Sequence, residues 1–168
     1  MFAAIALGLT LLASPQQTMQ VPVDDPVLPT GPLTAIGATR EGHIYVDAAS
    51  FRRSDLAGVV RGTAIIITAD AAPMQVVRLW IDCQRRVYQL SNGRRYDAAG
   101  LQVAVTTWVP DQPILPDSAT DRAAAAFCPS GGPNLAGLTE VADYRAALEQ
   151  ARADAGPATP ALGAGFGA

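Results

Sequence analysis

Apolar and polar residues alternate with a period of two through most of the middle of the chain. Along residues 76–83, Val77, Leu79, Ile81 and Cys83 fall on one side, and Arg78, Trp80 and Asp82 on the other, as in a half-buried strand. Residues 101–108 repeat the pattern, with Val103, Val105 and Thr107 opposite Ala104, Thr106 and Trp108. The β-branched run Ile65-Ile66-Ile67 within 59–68 suits a central strand, and 43–47 and 86–90 predict two shorter ones. Ala48-Ala49-Ser50 reads as a turn, and Ser91-Asn92-Gly93 carries a strong turn signal. Short strands joined by tight turns imply an antiparallel meander rather than βαβ units.

The period then changes to that of a helix. Ser118 is a candidate N-cap, Asp121 follows three residues later, and Ala123 to Phe127 are mostly good helix formers. Cys128-Pro129 and the run Ser130-Gly131-Gly132-Pro133 stop that helix. A second helix is expected from Thr139 to about Asp154. There Val141, Tyr144, Ala147, Leu148 and Ala151 form one apolar stripe, with Glu140, Asp143, Arg145, Glu149 and Arg152 elsewhere. The fold class is α+β: an antiparallel sheet, a helix following it, and a second amphipathic helix.

The two ends read differently. Residues 1–14 are nearly all apolar and too short to cross a bilayer, which predicts the hydrophobic part of a secretory signal peptide, although no Lys or Arg precedes it. Prolines at 15, 22, 26, 29 and 32 make 15–33 a semi-extended linker, and 156–168 is a low-complexity Gly/Ala tail expected to be disordered. Between them lie a domain over 34–133 and the extra helical segment 134–155. The mature chain is then expected to hold no transmembrane segment.

Charge narrows the partners. All 12 basic residues are arginine and the net charge is −3, so nothing favours nucleic acid, which requires a basic face. Export matters to Cys83 and Cys128, because an even pair of cysteines in an oxidising compartment forms a disulfide. Two cysteines with the single histidine, His43, fall short of a zinc site, and no metal or cofactor is expected. The alternative is a thiolate on Cys83 or Cys128 beside His43, an enzyme reading with no nucleophile turn to support it. An acid/base pairing of Asp47 with Asp82 likewise has no readable setting. Neither a phosphate-binding glycine loop nor a nucleophile elbow is present, and no catalytic residue is assigned.

Three arginine doublets, Arg52-Arg53, Arg85-Arg86 and Arg94-Arg95, form a candidate ligand surface if turns gather them; otherwise each is solvated charge at a turn. Core packing is the first expectation for both tryptophans, Trp108 under the connection to the first helix; Trp80, if exposed, joins that surface as a candidate anchor. Asp47, followed by Ser50, is expected to cap a turn by accepting backbone N–H groups.

The order of these features resembles the surface-adhesin protein E-like domain of exported proteins in Gram-negative bacteria. The matching stretches are Tyr45 to Ser50, Ile81-Asp82-Cys83-Gln84-Arg85-Arg86 with Tyr88, Tyr96-Asp97 with Gly100, Trp108, Pro116-Asp117-Ser118 and Phe127-Cys128. The resemblance implies a curved antiparallel sheet of about six strands with a helix tied to it by a Cys83–Cys128 bridge. Asp47, Ser50, Trp108 and Ser118 are then structural positions of the motif. It further implies a non-enzymatic protein, periplasmic or on the cell surface, but it carries no ligand across; the partners that the arginine doublets and Trp80 suggest are an extracellular protein or an anionic glycan. The alternatives are a structural periplasmic component and a periplasmic thiol enzyme.

Overall fold

The computed structural model describes residues 26–39, 42–56, 58–68, 74–105 and 109–155. Among them the chain forms β1 (Leu33–Thr39), β2 (Gly42–Arg53), β3 (Val59–Thr68), β4 (Met74–Asp82), β5 (Val87–Tyr96), β6 (Gln102–Val105), β7 (Val109–Pro113), α1 (Ala119–Phe127), β8 (Thr139–Val141) and α2 (Tyr144–Ala155). The strands build one antiparallel sheet in the order β6-β5-β4-β3-β2-β1-β8, with β7 also on β5. The fold is therefore α+β, as the alternation predicts. The expected signal peptide over 1–14, residues 15–25 of the expected linker, Trp108 and the expected tail over 156–168 lie outside the described residues.

Several boundaries differ from the sequence reading, each for a tertiary reason. Among the described residues the sheet has eight strands rather than about six. β1 and β8 are short, and they pair with each other through Leu33↔Val141 and Ala35↔Thr139, contacts over a hundred residues apart that no local pattern announces. Thr139 to Val141 are thereby drawn into a strand, so α2 begins at Tyr144 rather than Thr139. Leu33, at the end of the expected linker, is fully buried in β1, and Pro26 is buried too. Ser91-Asn92-Gly93 is no hairpin turn. It lies inside β5, where Asn92 takes φ 53° at a shift in register against β4.

The other expected turn, 48–50, is a bulge inside β2. Asp47 accepts the Ala49 N–H through Oδ1 at 3.0 Å, and the Ser50 hydroxyl donates to the Asp47 carbonyl at 2.7 Å. The same hydroxyl accepts the Thr63 N–H of β3 at 2.8 Å, replacing a ladder bond. The bulge changes which side of the sheet the following residues face. It puts Phe51 and Arg53 on the α1 side and Arg52 on the other.

Helices cover both faces of the sheet. On one, Ile36, Val46, Phe51, Val60, Val77, Leu79 and Ile81 pack with Ala119, Ala123, Ala126 and Phe127 of α1. On the other, Leu33, Tyr45, Ile65, Ile67, Met74, Val76 and Tyr96 pack with Tyr144, Ala147, Leu148 and Ala151 of α2. The alanines of α1 bring its backbone close to the strands. Phe127 stacks on Phe51 at 3.8 Å between centroids and 12° between planes. That ring is seated on Gly62, where a Cβ would lie 2.2 Å from the Phe51 ring. Ser118 caps α1 by accepting the Asp121 N–H at 3.1 Å, and a Cys83–Cys128 disulfide ties the other end of the helix to the end of β4.

Candidate functional site

α2 covers only half of its face. Beyond Ile65, β3 continues on the same side as Thr63, Arg61 and Val59, and no helix of the described residues packs over them. The register supplies the neighbours. Arg61 lies between Arg52 of β2 and Trp80 of β4, and Thr63 between Asp47 and Arg78. On β5, Gln89 stands beside Trp80, Ser91 beside Arg78, and Arg94 beside Val76. Four arginines from four adjacent strands therefore share this side: Arg52, Arg61, Arg78 and Arg94.

The side chains interlock. The Arg61 guanidinium carbon sits 5.5 Å from the centroid of the Trp80 ring, a cation–π contact. Trp80 donates its indole N–H to Ser91 Oγ at 3.1 Å, and Arg78 donates to Thr63 Oγ1 at 3.2 Å. Arg94 donates to Gln102 of β6, and Arg52 to the carbonyls of Ala49 and Phe51. Among the described residues, no carboxylate lies at ion-pairing distance from Arg52 or Arg61. Directly opposed residues on neighbouring antiparallel strands have Cβ atoms about 5 Å apart, so these two like charges repel and an anion placed between them relieves that cost.

A pocket of about 170 Å³ opens at the end of the same face. Leu56, Val59, Trp80 and Val87 form its apolar wall, and Asp82, Arg85, Gln89 and Asp111 its polar rim. Arg85 bridges two carboxylates, Asp82 at 3.8 Å and Asp111 at 3.2 Å. A hydrogen bond from the Gln89 amide, and then Arg85, hold the Asp111 carboxyl below its ordinary value.

The doublets do not converge as pairs, because strand alternation sends adjacent residues to opposite faces. Arg52 and Arg94 join the face just described, whereas Arg53 and Arg95 lie on the other. Arg53 donates to the Cys128 and Pro129 carbonyls at 3.1 and 2.7 Å, satisfying the end of α1. Arg85 reaches the pocket rim from the turn after β4. Arg86, at φ 55°, pairs instead with Asp121 in the first turn of α1 at 2.7 Å. That pairing, and then the Asp117 N–H, lower the Asp121 carboxyl.

Of the remaining candidates, Asp47, Ser50 and Ser118 hold the bulge and the cap already described. Asp82 accepts the N–H groups of Gln84 and Arg85 at 3.0 and 2.8 Å, so both aspartates of the supposed acid/base pair serve turns, and they lie two strands apart. The thiol alternative finds no geometry. Both cysteines are consumed in the disulfide, and His43 stands opposite Ile67 at the far end of the sheet from Cys83. Eight residues of strand separate those ends, about 26 Å. His43 instead approaches Asp154 at 3.8 Å.

Arg61 and Arg78 are the residues that sequence reasoning left out of the site. Alternation already placed Arg78 beside Trp80 on one side of β4, but only the pairing of β2, β3 and β4 adds Arg61 and Arg52. No group of His, Cys, Asp or Glu among the described residues is arranged to hold a metal ion, and no helix there is long and apolar enough to cross a membrane. Scans against family models, curated proteins and solved structures find no match to this chain.

Proposed function

We propose that the chain is an exported, non-enzymatic interaction module of the cell envelope or surface that holds a partner on the half of its α2-side sheet face that no helix of the described residues covers. The observation that carries this reading is the row Arg52–Arg61–Trp80 with Arg78 beside it, in which two arginines stand directly opposed. Like charges in register weaken a sheet, and an anionic partner repays that cost. The site is built on paired strands, so its guanidinium groups are held in position before the partner arrives. The resemblance to surface-adhesin E-like domains and the Cys83–Cys128 disulfide both support an exported location.

The test has two parts. Intact mass from the native host, with thiol alkylation before and after reduction, should give a shortened N-terminus and no label until reduction. An uncleaved chain with two reactive thiols would remove the export reading. For binding, the full chain is passed over immobilised polyglutamate and immobilised heparin at about 50 mM salt. Retention that weakens as salt rises, and is lost in an Arg61→Glu/Arg78→Glu variant, supports the reading. Equal retention of the variant, or none of the parent, would sink it.

A further inference from the structure

We infer that the partner on this face is an acidic polypeptide segment that seats one apolar side chain in the pocket beside Trp80 and lays its carboxylates along Arg61, Arg52 and Arg78, an inference that rests on the binding reading above. Arginine alone does not distinguish a carboxylate-bearing peptide from a sulfated glycan. The pocket does. Its wall of Leu56, Val59, Trp80 and Val87 is apolar, and its volume of about 170 Å³ suits a single side chain. A sulfated glycan chain offers charge, hydroxyls, flat C–H faces and at most an acetyl methyl, but no branched aliphatic side chain to fill that space. Leu56 is 57% exposed, leaving apolar surface at the mouth for an entering side chain to cover.

Spacing agrees with charge. Val59 of the pocket wall, Arg61 and Thr63 are alternate residues of β3, with Arg78 opposite Thr63. Same-side positions along a strand are about 6.6 Å apart, and an extended peptide presents alternate side chains at that interval. A peptide with an apolar residue at i and acids at i+2 and i+4 thus matches the step from pocket to Arg61 to Arg78. Arg52 lies one strand away, within reach of the first acid. The rim sets direction as well. Asp82 and Asp111 flank the pocket, so a reversed peptide would bring its carboxylates against them rather than against Arg61.

The test measures binding of fluorescein-labelled probes to the full chain by anisotropy at about 50 mM salt. One peptide, Gly-Ser-Leu-Ser-Glu-Ser-Glu-Ser-Glu-Gly, carries the apolar residue and the acids at the required interval; a second replaces its Leu by Ser; a third probe is a labelled heparin hexasaccharide. The Leu peptide is expected to bind about tenfold more tightly than the Ser peptide, the effect of burying one aliphatic side chain. Arg61→Ala should weaken both peptides about tenfold. Leu56→Ser and Val87→Thr, with circular dichroism and an intact disulfide as folding controls, should erase most of the Leu preference while leaving the Arg61 dependence. If Leu and Ser peptides bind alike, or the hexasaccharide alone binds with Arg61 dependence, the polypeptide inference falls and the anion-binding face stands. If no probe binds with Arg61 dependence, both fall.

Discussion

Replacing Cys83 and Cys128 together by Ser opens a covalent loop and leaves most of the noncovalent attachment of α1 in place. The bridge joins residues 45 apart, and closing a loop of that size restricts the unfolded chain by about 4 kcal/mol at 25 °C in the chain-entropy model. Compensation in the folded state is small, because both cysteines lie at the edge of the core, half-buried, where a hydroxyl can reach water. The helix keeps its Phe51–Phe127 stack, its buried Ala123 and Ala126, and the Arg53 bonds to the Cys128 and Pro129 carbonyls just past its end. The variant should therefore fold with its sheet intact and be less stable. With a urea m-value of about 2 kcal/mol per molar for a domain of this size, the midpoint should fall by about 2 M. Equilibrium urea unfolding followed by tryptophan fluorescence and far-UV circular dichroism measures it. Either single Cys→Ser change, or the parent in excess reductant, should give the same shift, since each opens the same loop. A shift under about 0.5 M would refute the reasoning, for it would mean that the bridge constrains little in the unfolded chain.

Gly62→Ala should destabilise by about 2 kcal/mol or more in the same assay, because the new methyl cannot coexist with the Phe51 ring pinned against Phe127; an unchanged midpoint would show that the ring is free to move. Leu148→Ala should cost about 3 kcal/mol, as Leu148 is only 3% exposed between α2 and the sheet; a loss under about 1 kcal/mol would argue that α2 is not docked. The Asp121 carboxyl is depressed by Arg86, and then by the Asp117 N–H, so its contribution is present above the unfolded value of 3.8 and is lost as pH falls through the lower folded value. Asp121→Asn should accordingly flatten the fall of stability as pH drops below 3.8; an identical acid limb would dispose of the assignment. Tyr45 runs the other way. Burial, and then Asp154, raise its phenol, so its contribution is intact below 10.0 and declines as pH rises above it, and Tyr45→Phe should reduce that alkaline decline.

The sequence was legible wherever a contact is local. Period-two alternation placed Val77, Leu79 and Ile81 on one side of β4 and Arg78, Trp80 and Asp82 on the other, and the structure keeps that division. The Ser118 cap, the Pro129 stop and the stripe Tyr144, Ala147, Leu148 and Ala151 follow from backbone geometry within a few residues, and both helices form there. The Cys83–Cys128 pairing follows from there being only two cysteines, so it required no knowledge of the fold. Where the reading failed, a distant partner had intervened. The Thr139 to Val141 segment suits a helix by itself, but the open edge of β1 offers it backbone hydrogen bonds. Asn92 and Gly93 look like a hairpin turn, yet β4 on one side and β6 and β7 on the other pair the residues that flank them, so the two become a bulge within β5 and the chain does not reverse.

The candidate site belongs almost wholly to the second class. Which residues of one strand share a face is a property of that strand alone, and alternation reads it. Which residues of two strands meet depends on register, which is set by the pairing of whole strands and shifted by bulges. A single bulge held by Asp47 and Ser50 turns Phe51 into the α1 core and Arg52 out beside Arg61. Without it, the doublet would have faced the opposite way. The sequence by itself therefore determined the alternating strands, the two helices, the disulfide and the stock of arginines. Only the tertiary structure decided which arginines stand together with Trp80, because a register is a relation between segments and no segment carries it alone.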